Sequence, residues 1–513
     1  MGALTGHWIG DGLVLMFSIA AVFYLYMTRK FNYWKKRGVL EFKPVPFLGN
    51  FGECLFFRKS ALDFIKDYYN NSKGLKYMGF YILDQPFLML RDPELIKHIL
   101  IKDFNYFHDR YTSTGKKDIL GNANLFTIKN PAWRFLRGKL TPFFTSGKMK
   151  KMFELMLAVN KDLDTYLESL DIDSKGREME MKELCAMYTT DLIGVTAYGL
   201  RVNSLNNPDA EFRACGRQIF NFNWRRGMEL ACTFFAPKIV DLFGFKFFSK
   251  ESTEFLRRAF WDTIDERVKS GVKRNDLIDL LIDLREQTKN GENKEFRFDG
   301  DNLVAQAAIF FTGGFETSSS AMSFSLYELA LQPEIQRKLR VEILEALEDK
   351  NGELTYDMVA NLPYLNMVVS ETLRKYPPLP FLDRETNMDY KLPGTDLIVE
   401  KGTPVYIPLQ GLHYDPQYFP DPEKFDPERF SEENKKNIPP CVYMPFGEGP
   451  HICIGLRFGL LQTKLGLIKI LSKYEISACD KTNVPIVFNK KALVIAAEGG
   501  ITLKIKKLMK VPG

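Results

Sequence analysis

No two of the seven cysteines stand at the spacing of a disulfide framework or a zinc site. Cys54, Cys185, Cys215, Cys232, Cys441, Cys453 and Cys479 are scattered along 513 residues, which excludes a cysteine-stapled scaffold and points to a reducing compartment. An excess of charge of one sign is also missing. The net charge is only +6 and basic residues are interleaved with acids, so a nucleic-acid partner has no support. Internal repeats and low-complexity tracts are absent as well, which excludes a solenoid. Aromatic residues, in contrast, are plentiful. They make up 13% of the chain and include 42 Phe, enough to line an apolar pocket as well as fill a core.

One long apolar run stands near the N-terminus. Residues 13–27 are apolar apart from Ser18 and polar-tipped Tyr, and extension back to Trp8 gives the ~20 residues a bilayer needs. Arg29, Lys30, Lys35, Lys36 and Arg37 follow at once. By the positive-inside rule they hold the rest of the chain in the cytosol. A cleaved signal peptide would carry its basic residues before the run, so an uncleaved anchor is the better reading. Lys43-Pro44-Val45-Pro46-Phe47-Leu48-Gly49 reads as a stiff join. The expected organisation is an anchor at 1–28, a linker at 29–50 and one globular part from Phe51 to the end.

Within that part amphipathic helical stretches dominate from about residue 55 to 375. Beyond Pro377, short runs such as Leu397-Ile398-Val399, Val405-Tyr406-Ile407 and residues 493–506 read as strands. The predicted fold is mainly α with a smaller β-rich part (α+β).

Cys453 lies in Pro445-Phe446-Gly447-Glu448-Gly449-Pro450-His451-Ile452-Cys453-Ile454-Gly455. Glycines there allow positive φ and close approach, so peptide N–H groups can point at the sulfur and hold it anionic. An anionic sulfur with no second cysteine nearby suits a single axial thiolate on haem iron. The alternative is a packed apolar thiol, as expected for Cys441. Residues 301–331 could form a helix of ~45 Å closed by Pro333. Gly313-Gly314 in its middle costs ~1 kcal/mol per glycine relative to Ala, which predicts either a local opening or close helix packing with Thr317 bonded back to a carbonyl. Glu371 and Arg374 (i, i+3) share a helix face, as do Trp133 and Arg137 (i, i+4), whose donors could reach one anionic patch. A surface amphipathic helix would look the same.

Phe446, Gly447, Gly449, His451, Cys453 and Gly455 resemble, residue for residue, the haem-binding loop of the cytochrome P450 monooxygenases. His451 departs from the family's usual arginine. With the stretch Phe310-Phe311-Thr312-Gly313-Gly314-Phe315-Glu316-Thr317, the resemblance is strongest to insect microsomal family 6 members. It implies haem b on Cys453, held between a long distal helix and the cysteine loop, with Phe446, Gly447 and Gly455 shaping that loop. Trp133, Arg137, Arg110, Arg384 and His451 are the implied propionate ligands, and Glu316 with Thr317 would relay protons to dioxygen. Glu371, Arg374 and Arg429 would form a structural triad, and Phe126, Ile309, Thr312, Gly313, Leu379 and Phe381 would touch substrate.

The same resemblance implies insertion of one oxygen atom from O2 into apolar xenobiotics such as plant toxins or insecticides. NADPH would supply electrons through NADPH-cytochrome P450 reductase, with cytochrome b5 as a further donor, at the endoplasmic reticulum membrane. A haem-thiolate isomerase, a haem electron carrier and a haem-free membrane scaffold are the competing classes. Arg134, Lys139, Lys148, Lys150, Lys151 and Arg457 are candidates for an electron-donor docking face. The apolar segment 233–248 reads equally as a second membrane contact or a buried helix pair.

Overall fold

Between Asp301 and Glu316 the sequence carries no charge, and its apolar residues fall on every face of a helix, so this segment has to be buried all round. The computed structural model, which describes residues 7–221, 223–288 and 295–508, shows a central helix of 32 residues, Gly300–Leu331. It packs against the helices Met181–Ile193, Leu456–Leu471 and Pro363–Lys375. Arg257 clamps its first turn, donating from two nitrogens to Asp301 at 2.9 Å each. Gln332 leaves the helix at φ −129°, ψ 76°, outside the helical region as Pro333 requires.

The local opening expected at Gly313-Gly314 is not found, because the helix runs through both residues. Close packing accounts for Gly314. A Cβ there would lie 2.2 Å from Ile193 Cδ1, whereas one on Gly313 would meet nothing within 4 Å.

A four-stranded sheet flanks the helical body in the order Tyr77–Ile82, Gln85–Leu90, Pro404–Ile407, Leu382–Glu385. The first two strands form a hairpin inside the region predicted to be dominated by helices. Short apolar runs of six residues do not distinguish strand from buried helix by periodicity. Gln85–Leu90 pairs in parallel with Pro404–Ile407, matching Leu88 with Val405. Leu382–Glu385 then pairs antiparallel, matching Arg384 with Val405. Of the strand expected over 493–506, only Thr502–Lys507 is strand. Gly499 and Gly500, both at positive φ, turn the chain just before it.

The N-terminal helix Trp8–Thr28 has 21 residues, none of them buried. It is the one helix among the described residues long and apolar enough to cross a membrane. The segment read as a linker packs onto the globular body instead of standing apart. Trp34 is fully buried, its Nε1–H donating to Phe80 O at 3.4 Å, and Arg29 pairs with Asp84 at 3.0 Å. The packed body therefore starts near Trp34, ahead of Phe51. Segment 233–248 divides between its two readings: Phe234, Phe235, Phe247 and Phe248 are buried, while Leu242 and Phe243 are 78% and 61% exposed.

Candidate active site

The cysteine loop takes its shape from two glycines at positive φ, Gly447 (76°) and Gly449 (71°). A Cβ on Gly449 would sit 2.1 Å from Leu100 O, so no other residue fits. Phe446 O accepts the Cys453 N–H at 2.8 Å, and Gly455 caps the Leu456–Leu471 helix that follows. Cys453 alone among the cysteines is exposed, although enough protein lies around it for burial to raise its pKa. Its sulfur therefore faces an interior space. Burial raises the thiol's pKa, while the Gly455 N–H, Arg137 and Arg110 pull in the opposite direction. Burial prevails, so without a metal ion the neutral thiol is favoured, and ligation would supply the ionisation that these donors only assist.

Gly313 is exposed and Ile309, Phe310, Gly314 and Thr317 are half-buried, while the other residues from 303 to 330 are buried, which identifies the face this helix turns to open space. Thr317 Oγ1 donates to Gly313 O at 2.7 Å. The buried Glu316 pairs with Lys182 Nζ at 3.0 Å. The expected acid and alcohol are thus neighbours in the chain, but each is engaged elsewhere. Lys182 was not singled out from the sequence, and a separation of 134 positions leaves no signal for it. Its ammonium also reaches Glu316 O (3.2 Å), Ser319 Oγ (2.5 Å) and Ser320 Oγ (3.1 Å). Gln462 donates to Gly314 O at 2.7 Å and Thr189 to Phe315 O at 3.1 Å. Four consecutive carbonyls, 313 to 316, accordingly carry a side-chain donor.

A cluster of cations stands beside the cysteine loop. The Ala132–Leu140 helix contributes Arg137, whose Nη2 donates to Ile452 O at 2.8 Å, and Trp133, whose ring lies 3.8 Å from that of His451. A bridge between Asp109 and Glu385 lays the 108–112 segment along the edge strand and brings Arg110 beside Asp383 (3.5 Å) and Arg384. Arg384 is buried, and burial followed by the charge of Arg110 lowers its pKa to about 9. The Nε atoms of Arg110 and Arg384 are buried without a hydrogen-bond partner. Burial, then Arg384 and Arg110, push His451 well below its ordinary range. Its Nε2 lies 2.8 Å from His108 O, so the neutral ring donates to that carbonyl.

An interior thiol beside a cation cluster short of anions is what a dianionic, metal-bearing ring needs. The cytochrome P450 family model matches residues 41–505. The chain is also 46% identical to "Cytochrome P450 6k1" of Blattella germanica, covering 99% of each. It is 45% identical to "Probable cytochrome P450 6g2" of Drosophila melanogaster over 96% of this chain and 98% of that one.

The chain is a cytochrome P450.

Membership makes it a haem-dependent, dioxygen-using monooxygenase, with insect family 6 proteins among its relatives. In this cytochrome P450 the thiol and the unpartnered guanidinium nitrogens fit haem iron and its two carboxylates. Behind the loop, Arg374 and Glu371 are completely buried and joined by two hydrogen bonds, 2.7 and 2.9 Å. The Arg429 Nε stands 3.4 Å from Glu371, so the three residues named from the sequence do meet. Burial lowers the Arg374 guanidinium's pKa, but the hydrogen bonds to Glu371 and its charge together outweigh this and leave it raised. His413, missed in the sequence, completes the unit. Its Nδ1–H donates to Arg374 O (3.1 Å) and its Nε2 accepts the Met444 N–H (3.2 Å), linking the helix to the chain just ahead of the cysteine loop.

Of the residues expected at substrate, Phe381 is buried and its ring stacks on Tyr406 at 5.0 Å. Phe126 lies 5.8 Å from Phe234 and under the Arg110 guanidinium at 4.6 Å. Ile309 and Leu379 are half-buried. Thr312 is buried and its hydroxyl is spent on Ala308 O at 2.8 Å, so it presents its methyl rather than a free donor.

Proposed function

We propose that this cytochrome P450 is anchored in the endoplasmic reticulum membrane and oxygenates apolar small molecules such as plant toxins and insecticides. Electrons come from NADPH through NADPH-cytochrome P450 reductase, with cytochrome b5 as a further donor. The observation that carries this reading is the accessible Cys453 thiol beside two guanidinium Nε atoms that have no protein partner. Haem, when bound, supplies the activation of dioxygen for insertion into a C–H or C=C bond.

The chain's own residues do the rest. Cys453 would ligate the haem iron; Phe446, Gly447 and Gly455 set the loop around it; Arg137, Arg110, Arg384 and Trp133 would receive the propionates. His451 reaches that site only through its second nitrogen, since Nε2 faces His108 O. Thr317 and Glu316 would hold and pass protons, and for this Thr317 has to leave Gly313 O and Glu316 has to loosen from Lys182. Phe126, Ile309, Thr312, Gly313, Leu379 and Phe381 would bound an apolar cavity that excludes water.

The anchor helix followed by basic residues, and the exposed Leu242 and Phe243, support a membrane position. Arg134, Lys139, Lys148, Lys150, Lys151 and Arg457 support docking of an acidic electron donor. The test is turnover of an apolar compound panel by the full chain with reductase and NADPH, with a carbon monoxide difference spectrum. A red-shifted band lost in Cys453→Ser, NADPH-dependent products and poorer coupling of NADPH to product in Thr317→Ala are expected. Turnover without NADPH would sink the reading, and a Thr317→Ala variant as fully coupled as the parent would sink the proton relay.

A further inference from the structure

Gln306 is a fully buried amide three residues ahead of Ile309 on the central helix, and it plays no part in the chemistry described above. Its Oε1 accepts the Leu125 N–H at 3.0 Å, and its Nε2 donates to Ala123 O at 2.7 Å and to Asn302 O at 3.0 Å. Both ends of the amide are therefore spent on a loop more than 180 positions away in sequence. The loop is fixed from within as well. Asn124, also fully buried, accepts the Phe126 N–H at 2.9 Å through Oδ1 and donates through Nδ2 to Leu120 O and Gly121 O at 2.9 and 2.8 Å. Asp118 continues the chain of bonds, accepting the Gly121 N–H at 3.1 Å and the Phe247 N–H at 2.6 Å.

Surface loops are ordinarily served by water, and a loop held by two buried amides is over-determined in position. The residue it delivers is Phe126, whose ring lies 5.8 Å from that of Phe234 and 4.6 Å from the Arg110 guanidinium. We infer that Gln306 is a specificity-determining positioning residue that fixes the depth of the Phe126 ring in the substrate cavity by stapling the 123–125 backbone to the central helix. The inference rests on the reading that Phe126 bounds that cavity. An isosteric change at Gln306 leaves one N–H and one carbonyl without partners, so the loop relaxes toward water and the ring moves with it. Chemistry at the cysteine is untouched, and small ligands are insensitive to the change.

The holoprotein allows a test by spectral titration with two iron-binding probes, imidazole and 4-phenylimidazole, whose affinity ratio reports contact of the added ring with the cavity wall. Phe126→Ala, Gln306→Met and the double variant form a cycle. A change in the ratio of about tenfold is expected in each single variant, with no further change when Gln306→Met is added to Phe126→Ala. Hydrogen exchange of the parent protein supplies a measurement that needs no variant: the Leu125, Phe126 and Thr127 amides should be protected to the same extent as those of the central helix. A Gln306→Met ratio within twofold of the parent while Phe126→Ala shifts it, additive effects, or loop amides that exchange as freely as exposed ones would each overturn the staple. An unchanged ratio in Phe126→Ala alongside protected amides would instead overturn the placement of Phe126 in the cavity, and the inference with it.

Discussion

Two adjacent glycines in one helix should respond to the same substitution with opposite signs. Alanine is favoured over glycine in a helix interior by about 0.8–1 kcal/mol. At Gly313 nothing stands within 4 Å of the added Cβ, so Gly313→Ala keeps that gain. At Gly314 the methyl would sit 2.2 Å from Cδ1 and 2.8 Å from Cγ1 of Ile193, itself buried. Relieving two such contacts in a packed core costs roughly 1–3 kcal/mol, which leaves Gly314→Ala destabilised by about 1 kcal/mol on balance.

At roughly 2.1 cal/mol/K of unfolding entropy per residue, a chain of this length shifts only ~1 °C per kcal/mol, so the two variants should lie about 2 °C apart, one on each side of the parent. Scanning calorimetry of the holoproteins at one fixed scan rate measures the gap. Ile193→Val, which removes the nearer of the two clashing carbons, should restore much of what Gly314→Ala loses and do nothing for Gly313→Ala. The Gly313→Ala methyl also enters the open space on the Thr317 face, so bulky ligands should bind less tightly. Shifts of the same sign, or a larger loss at Gly313 than at Gly314, would refute the reasoning.

Glu371→Gln leaves the fully buried Arg374 charge without its partner, a loss of about 3–5 kcal/mol; most of the protein should be recovered without the red-shifted carbon monoxide band, whereas Glu334→Gln, which breaks an exposed pair with Arg337, should cost under about 1 kcal/mol. Burial first, then Arg374, lowers His413 to about 3 from the usual 6.5. The unfolded chain therefore takes up a proton that the folded chain refuses. The resulting stability is whole above pH 6.5 and is lost at ~1.4 kcal/mol per pH unit as pH falls, about 2 kcal/mol by pH 5; His413→Gln should flatten this slope in denaturant titrations, and parallel pH profiles would rule the effect out. Arg384→Met removes a buried cation whose Nε is unpartnered, so the apoprotein should be no less stable, while loss of haem to a scavenging apoglobin should speed up about 10–100-fold; equal loss rates would remove Arg384 from the propionate site.

Local patterns in the sequence carried a good deal. The two glycines flanking Glu448 do take positive φ, Pro333 does end the central helix, and Glu371, Arg374 and Arg429 do converge. The Tyr77–Leu90 hairpin was not legible, because its second strand is completed by Pro404–Ile407, more than 300 residues away, and buried strands show no alternation. Lys182, Gln462, Gln306 and His413 were invisible for a related reason. Each is an ordinary polar residue locally and acquires its role from a partner on another element.

The sequence by itself determined the shape of the cysteine loop, the length of the central helix, the apolar N-terminal helix and the family, since each is written in contiguous residues whose backbone preferences and spacing are local. Tertiary structure alone decided what the side chains of the central helix do. Glu316 and Thr317 are adjacent in the chain, yet Glu316 is buried against Lys182 of another helix while Thr317 stays half-buried. Gly313 faces open space while Gly314 admits Ile193. Successive residues on a helix point about 100° apart, so which of two neighbours meets the cavity and which meets a packed helix depends on the elements around them.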